Sequence, residues 1–435
     1  METCPVASLR FTSRCVRVVL LTQYFPPEVG APQTRIEALA RGLAERGVEV
    51  VVHTCPPHYP DGEIKAPYRN RLLGRERVGG VRVVRSAVYA APNRGFARRL
   101  GGHLSFASSA LATLPASRAA EVVVVETPPL FLAGAAIGYA KAKRAQLVLN
   151  VADLWPDSAI ELGAVSSPTA IRAARVVERA AYRSAAAIAC PTEGIFETLE
   201  SRPESAGKTA LMRPAVDLER FDAKGEDGQV ADAPLRVLYA GTVGMAHGLG
   251  TLLDAAEMLA ARPSAPAVEV TIAGDGADGP TLRERIARGG FENVRMLGAV
   301  PAEQIPQLYR EADVAVVMLR DVPLFHGALP TKMLEAMAAG RPVVLAARGE
   351  AARVLDGAGA GVVVEPEDPA ALADAFAALA SDPPRRIALG AAGRAAVQKE
   401  FGRGPWLDRW QELLERAASG ARPSPQSRSV SLARD

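Results

Sequence analysis

Apolar positions along the chain fall into two series of short, near-continuous runs, separated by amphipathic stretches of helical length. In the first series Val16–Leu21 is followed by a helix predicted over about Gln33–Arg46 and stopped by Gly47. Further strands are predicted at Val48–Val52, Val81–Val84, Val122–Val125, Leu147–Val151 and Ala186–Ala189, with a helix over Ala170–Arg183. The second series predicts strands at Arg236–Ala240, Val268–Ala273, Val294–Leu297, Val314–Val317, Val343–Leu345 and Gly361–Val364. Strands that are apolar on both faces belong in parallel sheets covered on both sides. Between the two series, Phe221–Pro234 is polar, Gly-bearing and unpatterned, and reads as a hinge. The expected organisation is α/β: a doubly wound domain over 1–220, the linker 221–234, and a second doubly wound domain over 235–402. A final helix over 403–418 carries Trp406, Leu407, Trp410, Leu413 and Leu414 at packing spacing, and a disordered tail follows over 419–435.

In such sheets ligands meet the loops at the carboxyl ends of the strands. The most informative of these segments is Gly327–Glu335, G-A-L-P-T-K-M-L-E. Pro330 suits the first helical position, and the helix points unpaired N–H groups toward Gly327 and Ala328. That end suits a phosphate, with Thr331 and Lys332 in the first turn. Lys332 and Glu335, three residues apart, share a helix face. A carboxylate beside a phosphate site makes sense as an acceptor for vicinal sugar hydroxyls such as those of a ribose. The segment reads either as a nucleotide-diphosphate site or as an amphipathic helix with a surface Lys and Glu.

Other loops carry weaker signals. Q-Y-F-P-P-E-V-G-A-P-Q at 23–33 places Gly30 before a helix start. L-N-V-A-D-L-W-P-D-S at 149–158 ends an apolar strand in Asp153, with Asp157 suited to capping a helix. Y-A-G-T-V-G-M-A-H-G-L-G at 239–250 sets Gly241 and Thr242 between strand and helix, where the backbone can approach an anion. It is neither a dinucleotide fingerprint nor a Walker loop. His247 is either a neutral donor to phosphate or a surface histidine. A-G-D-G at 273–276 reads as a turn. No D-x-D pair and no His/Cys/Asp cluster suggests a metal.

Composition fits this picture. A chain of 435 residues, 49% apolar and 23% charged, holds two or three globular domains. Arg outnumbers Lys 44 to 7, a coding bias rather than a functional signal. Cys4, Cys15, Cys55 and Cys190 lack paired or metal-ligand spacing, which suggests a reducing cytosol. No signal peptide and no spanning apolar window is expected. The net charge of +3 hides an asymmetry. Residues 1–120 carry 17 Lys and Arg against 8 Asp and Glu, a net +9; the rest carries 34 against 40, a net −6. Arginines cluster at 69, 71, 75 and 77, and again at 94, 98 and 99. No nucleic-acid-reading module accompanies them, so anionic lipid or phosphorylated substrate is the expected partner. Residues 94–118, acid-free, form either a surface helix at a membrane or a core-packed helix with a basic flank.

Taken in order, Q-Y-F-P-P-E-V-G-A-P, D-L-W-P-D-S-A, A-G-T-V-G-M-A-H-G-L, A-G-D-G, G-A-V-P at 298–301 and L-F-H-G-A-L-P-T-K-M-L-E-A-M-A-A-G-R-P-V span nearly the whole chain. In them the chain resembles the retaining GT-B glycosyltransferases of family 4, within them the WbuB-like branch of bacterial O-antigen and exopolysaccharide enzymes. The resemblance implies two Rossmann-like domains facing across a cleft, with a UDP- or GDP-sugar held mainly by the second. By that resemblance Glu335 meets the ribose, and Gly298 and Val300 meet the base through their backbone. Gly241, Thr242, His247, Gly327, Thr331 and Lys332 line the diphosphate, and Gly30 approaches from the first domain. It implies no cofactor and no metal, a lipid-linked glycan acceptor, and a cytoplasmic enzyme at the inner face of the plasma membrane. The chain departs from the wider family at Thr242 and His247, where an Arg and a Lys are common, and at Gly327, where a Glu is common. At the usual strand-end His it has Ala152 and Asp153; the catalytic candidates are Asp153, a carboxylate at a strand's carboxyl end, and Lys332. The same architecture serves nucleotide-sugar 2-epimerases, and a scaffold subunit that has lost activity is the third reading.

Overall fold

The structure, a computed structural model, describes residues 16–424 apart from 29, 60–61, 91–95, 115–119, 162–164, 222–232 and 263–264. The described residues form two compact units. The first gathers those up to 189 with 203–208 and 411–423, and the second gathers 190–202, 209–410 and Ser424. Most of the hinge read at 221–234, and the tail beyond 424, lie outside the described residues.

The first series runs β1 (Arg17–Leu21), α1 (Ala31–Glu45), β2 (Glu49–Thr54), β3 (Leu73–Val78), β4 (Val81–Ser86), α2 (Phe96–Thr113) and β5 (Val122–Thr127). It continues through α3 (Leu132–Lys143), β6 (Gln146–Val151), α4 (Asp157–Glu161), α5 (Pro168–Ser184), β7 (Ala187–Cys190), α6 (Glu193–Glu200) and β8 (Thr209–Leu211). The strands form one sheet in the order β3-β4-β2-β1-β5-β6-β7-β8. The second series is β9 (Leu235–Ala240), α7 (Gly250–Ala260), β10 (Val268–Ala273), α8 (Gly279–Ala287), β11 (Val294–Gly298), α9 (Ile305–Glu311), β12 (Val314–Met318), α10 (Pro323–His326) and α11 (Thr331–Ala338). Then follow β13 (Val343–Ala346), α12 (Glu350–Ala358), β14 (Gly361–Val364), α13 (Pro369–Ala380), α14 (Pro383–Glu400) and α15 (Arg403–Ala418). Its sheet, in the order β11-β10-β9-β12-β13-β14, is parallel throughout.

Burial on both faces explains why these strands read as apolar runs. Along β12, Ala315 and Val317 enter one core layer with Met333, Leu334 and Met337 of α11. Val314, Val316 and Met318 enter the other with Leu252 and Leu253 of α7. The strand order reverses between β1 and β5, and between β9 and β12. The Gly-bearing loops 22–30 and 241–250 therefore follow strands at the switch points, where a doubly wound sheet leaves a crevice.

One element departs from the sequence reading, and a second favours one of its two alternatives. β3 is an antiparallel edge strand, so the first sheet is mixed rather than wholly parallel. Its alternation is of charges, L-G-R-E-R-V, and the signal lay instead in Gly79 and Gly80, whose φ of 55° and 83° make the two-residue hairpin turn. In α2, Phe106 and Ala110 are fully buried, as is Leu114 just beyond it, so one face of this helix is core, as the core-packed alternative expects. Leu104 and Leu111 remain exposed on it, Arg98 is exposed, and Arg94 lies outside the described residues. Trp406, Leu407, Trp410, Leu413 and Leu414 are buried as their spacing predicted.

Candidate functional site

The second unit builds its site from two glycine turns pressed together. Gly274 follows β10 with φ 151°, and a Cβ there would fall 1.8 Å from the Gly241 carbonyl oxygen. A Cβ on Gly276 would fall 2.3 Å from that of Val243. A-G-D-G is therefore more than a turn: only glycine lets the 273–276 backbone support the turn after β9. Gly241 N–H donates to Ala273, Val243 N–H to Asp275, and Gly274 N–H to Gly298, tying β9, β10 and β11 ends into one surface. Across it, the N–H groups of Thr242, Gly244 and Ala246 have no partner among the described residues. Such a row of open amides is an anion-binding nest.

Helix α11 brings the charge. Pro330 is its N-cap rather than its first helical residue: φ is −64°, but ψ of 125° keeps it extended, and Thr331 opens the helix. Lys332, half-buried, reaches back to β9, where Nζ donates to Tyr239 Oη at 2.6 Å. Tyr239 Oη in turn donates to the Thr242 carbonyl at 2.6 Å. A Cβ on Gly241 would lie 3.0 Å from Lys332 Nζ, so the absence of a side chain there gives the ammonium its place. The Lys332 carbonyl accepts from Tyr309 Oη at 3.1 Å, which fixes the other end of the residue.

The electrostatics are unusual for a helix surface. Burial lowers the Lys332 ammonium to about 8, with Glu335 opposing the shift. Burial raises the Glu335 carboxyl to about 7, opposed by Arg220 and then Lys332. The Glu335 carboxyl makes no hydrogen bond and no ion pair with any described residue, although its backbone carbonyl accepts from Ala339 N–H. His247 is held at about 4 by burial and by Lys332, so it is neutral near pH 7; its Nδ1 lies 3.3 Å from the Gly244 carbonyl. This site combines open amides, one cation and one unsatisfied carboxyl. It can take an anion flanked by a group that donates hydrogen bonds.

The remaining expected residues are placed as follows. Gly298, with φ 74°, ends β11 beside Gly274. Val300 packs its side chain on the α11 core layer, leaving its backbone as the part a ligand can meet. Gly327 packs against Gly194, whose own Cβ would lie 3.2 Å from the Gly327 Cα. Beside them the buried Glu350 carboxylate accepts from Glu193 and Gly194 N–H at 2.7 and 3.3 Å, capping α6. Arg320, four residues before Leu324, pairs with Glu367 at 3.1 Å. In the first unit, Gly30 is the extended N-cap of α1, with Gln33 folded over it. Asp153 follows β6 half-buried and accepts from Ser158 Oγ at 2.7 Å. Asp157 opens α4 and pairs with Arg175. Gly30 and Asp153 thus belong to one unit and the nucleotide candidates to the other.

Sequence reading missed Tyr239, Tyr309, Arg220 and the pair of half-buried Arg35 with buried Glu126 at the end of β5. An aromatic in an apolar run reads as core, and partners dozens of residues apart leave no periodic signal.

Among the described residues no group of three or more His, Cys, Asp or Glu is placed to hold a metal, and no helix is long and apolar enough to cross a membrane. Residues 30–215 match the family model for a glycosyl transferase 4-like domain, and residues 234–382 that for glycosyl transferases group 1. The chain is 24% identical over 366 residues to the colanic acid biosynthesis glycosyl transferase WcaI of Escherichia coli, covering 80% of this chain and 88% of that one. In fold it is similar to sucrose-phosphate synthase of Thermosynechococcus elongatus, with a TM-score of 0.70 at 21% identity over 93% of this chain and 100% of the other. It is also similar to HepE of Anabaena, solved with UDP-glucose, with a TM-score of 0.65 at 18% identity over 93% and 100%. The chain belongs to the glycosyltransferases: a glycosyl transferase 4-like domain followed by a group 1 domain, in the two-sheet GT-B fold.

Proposed function

We propose that this glycosyltransferase moves a sugar from a UDP- or GDP-sugar, with retention at the anomeric carbon, to a lipid-linked glycan during bacterial cell-surface polysaccharide assembly. The observation that carries the donor reading is the half-buried Glu335 carboxyl, without a hydrogen-bond partner among the described residues, one turn from Lys332 and beside the open amides of 242–246. A diphosphate suits the amides and the ammonium, and ribose hydroxyls suit Glu335. HepE was solved with UDP-glucose, and WcaI is named for colanic acid biosynthesis; both favour this reading. It follows the narrower WbuB-like resemblance, where Thr242, His247 and Gly327 stand in for charged residues.

In this account the Thr242, Gly244 and Thr331 amides and Lys332 hold the diphosphate, with His247 as a neutral donor and Gly241 and Gly327 giving backbone clearance. The Gly298 and Val300 backbone meets the base. By the family resemblance we assign the Gly30 backbone to the phosphates and Asp153 to the acceptor hydroxyl. The bond from C1 to the diphosphate oxygen breaks and a bond from C1 to the acceptor oxygen forms on the same face. The acceptor proton passes to the departing phosphate oxygen. Lys332 acts where charge grows on the leaving group.

For the acceptor side, the first unit offers a basic and apolar edge. Arg69, Arg71, Arg75 and Arg77 make no ion pair among the described residues, and Leu72 among them is 82% exposed. Such an edge suits anionic headgroups at the inner face of the plasma membrane. The decisive experiment incubates the protein with radiolabelled UDP- and GDP-sugars and a membrane extract. Label in the lipid fraction supports the proposal; an epimerised free donor marks an epimerase, and no turnover a scaffold subunit.

A further inference from the structure

We infer that Tyr239 is a positioning residue: its hydroxyl holds the Lys332 ammonium over Gly241 in the free enzyme, in the place where the donor diphosphate is met. This rests on the donor reading above and assigns the device by which one lysine serves a site without the usual charged partners.

Tyr239 is fully buried in β9, in the core layer under α7, with only its hydroxyl turned toward the 241–244 turn. The hydroxyl makes two bonds of 2.6 Å with opposite polarity, donating to the Thr242 carbonyl and accepting from Lys332 Nζ. The first fixes the direction of its proton, so a lone pair must face the ammonium. The ammonium also lies 4.3 Å from the ring centroid, on a side chain that cannot rotate. An ammonium carries three donors; Tyr239 takes one and leaves two for phosphate oxygens. A free lysine would surrender its rotamer freedom on binding, whereas here that ordering precedes the ligand.

The groups facing Lys332 are few. Glu335 lies on its own helix, with Arg220 opposite that carboxyl. His247, from the loop, has its ring edge-on to Tyr239 at 6.1 Å and is neutral near pH 7. Tyr309, from α9, donates its hydroxyl to the Lys332 carbonyl. None of them bonds Nζ, so Tyr239 alone among the described residues fixes where the ammonium sits.

Tyr239→Phe keeps the ring in the core and removes both bonds. The test is a double-mutant cycle on the full-length protein with Lys332→Met. UDP and GDP are titrated by calorimetry at pH 7.5, and the tighter-binding one is followed up to pH 9.5. With Lys332 present, Tyr239→Phe is expected to weaken binding about tenfold, the low end for a bond to a charged group. It should also move the alkaline limb to lower pH, because the ammonium has lost an acceptor. With Met at 332 the same change should cost less than twofold. Thermal melting of each variant reports folding. Equal losses in both backgrounds would mean that Tyr239 serves only the turn, and the inference falls. Binding by Tyr239→Phe within twofold of wild type also overturns it. If Lys332→Met itself binds like wild type, the diphosphate reading fails first and takes the inference with it.

Discussion

The donor reading makes nucleotide binding a bell-shaped function of pH, and both limbs follow from burial. Glu335 titrates at about 7 in the free protein, so about a tenth is ionised at pH 6 and about half at pH 7. Ribose hydroxyls donate to the ionised form, so affinity should rise about fivefold over that unit, close to 1 kcal/mol. Lys332 titrates at about 8, so between pH 7 and 9 the charged fraction falls about tenfold, and affinity falls with it, by about 1.4 kcal/mol. The optimum lies near pH 7.5, and the two apparent values belong to the pair rather than to either residue. Calorimetry with UDP-glucose and GDP-mannose avoids the terminal phosphate proton of a free diphosphate. Buffers of different ionisation enthalpy should reveal nearly one proton released on binding at pH 6 and nearly one taken up at pH 9. Glu335→Gln should flatten the acid limb and weaken binding at pH 7.5 by about 1.5–3 kcal/mol. An affinity that is level from pH 6 to 7, with no proton released, refutes the assignment of Glu335 to the ribose.

Lys332→Met should cut turnover about 10²-fold, because it removes charge from the leaving group. The same change should raise the melting temperature of the second unit by roughly 2–4 °C at pH 7.5, since a partly desolvated ammonium is lost; calorimetry that finds a lower melting point contradicts this. Because amides and Lys332 supply the charge, transfer activity should survive EDTA, and strict dependence on Mg²⁺ or Mn²⁺ would count against the helix-terminus account. Changing Arg69, Arg71, Arg75 and Arg77 together to Ser should release the protein from anionic vesicles, at about 1 kcal/mol for each arginine, while leaving nucleotide binding intact. Wild-type protein that stays in the supernatant at low salt would remove the membrane from the proposal.

The strands were legible wherever both faces of a sheet are covered, because two-sided burial writes itself as an unbroken apolar run; β10 and β14 were read residue for residue. β3 was lost because an edge strand need bury little, and its alternating charges read as surface. Lys332 and Glu335 were legible because helix geometry pairs residues three apart. What surrounds them was not. A-G-D-G looks like any turn until Gly241 is seen pressed against it, and Glu350 reveals no purpose until α6 is brought to it from 157 residues away. Sequence spacing carries local geometry; the partners of a buried polar group arrive through topology.

That surrounding geometry also bears on how the chain manages without the Arg, Lys and Glu common at 242, 247 and 327. Burial moves Glu335 up to about 7 and Lys332 down to about 8, so ionising each in the free protein costs about 3 kcal/mol. For Glu335 the folded state binds the proton more tightly than the unfolded chain, so its stabilising contribution is complete below about pH 4.5 and lost above about 7. Lys332 is the reverse: its contribution is present above about pH 10.5 and lost as pH falls through about 8. Near neutral pH both groups therefore weigh against folding, and neither bonds a carboxylate or cation that would relieve it. A fold gains nothing by keeping them unless a ligand supplies the missing partners. A diphosphate and a ribose supply them together, and the phosphate gains charge as the glycosidic bond breaks. The strain relieved at Lys332 is then greater in the transition state than on binding, which is the condition for binding energy to become rate.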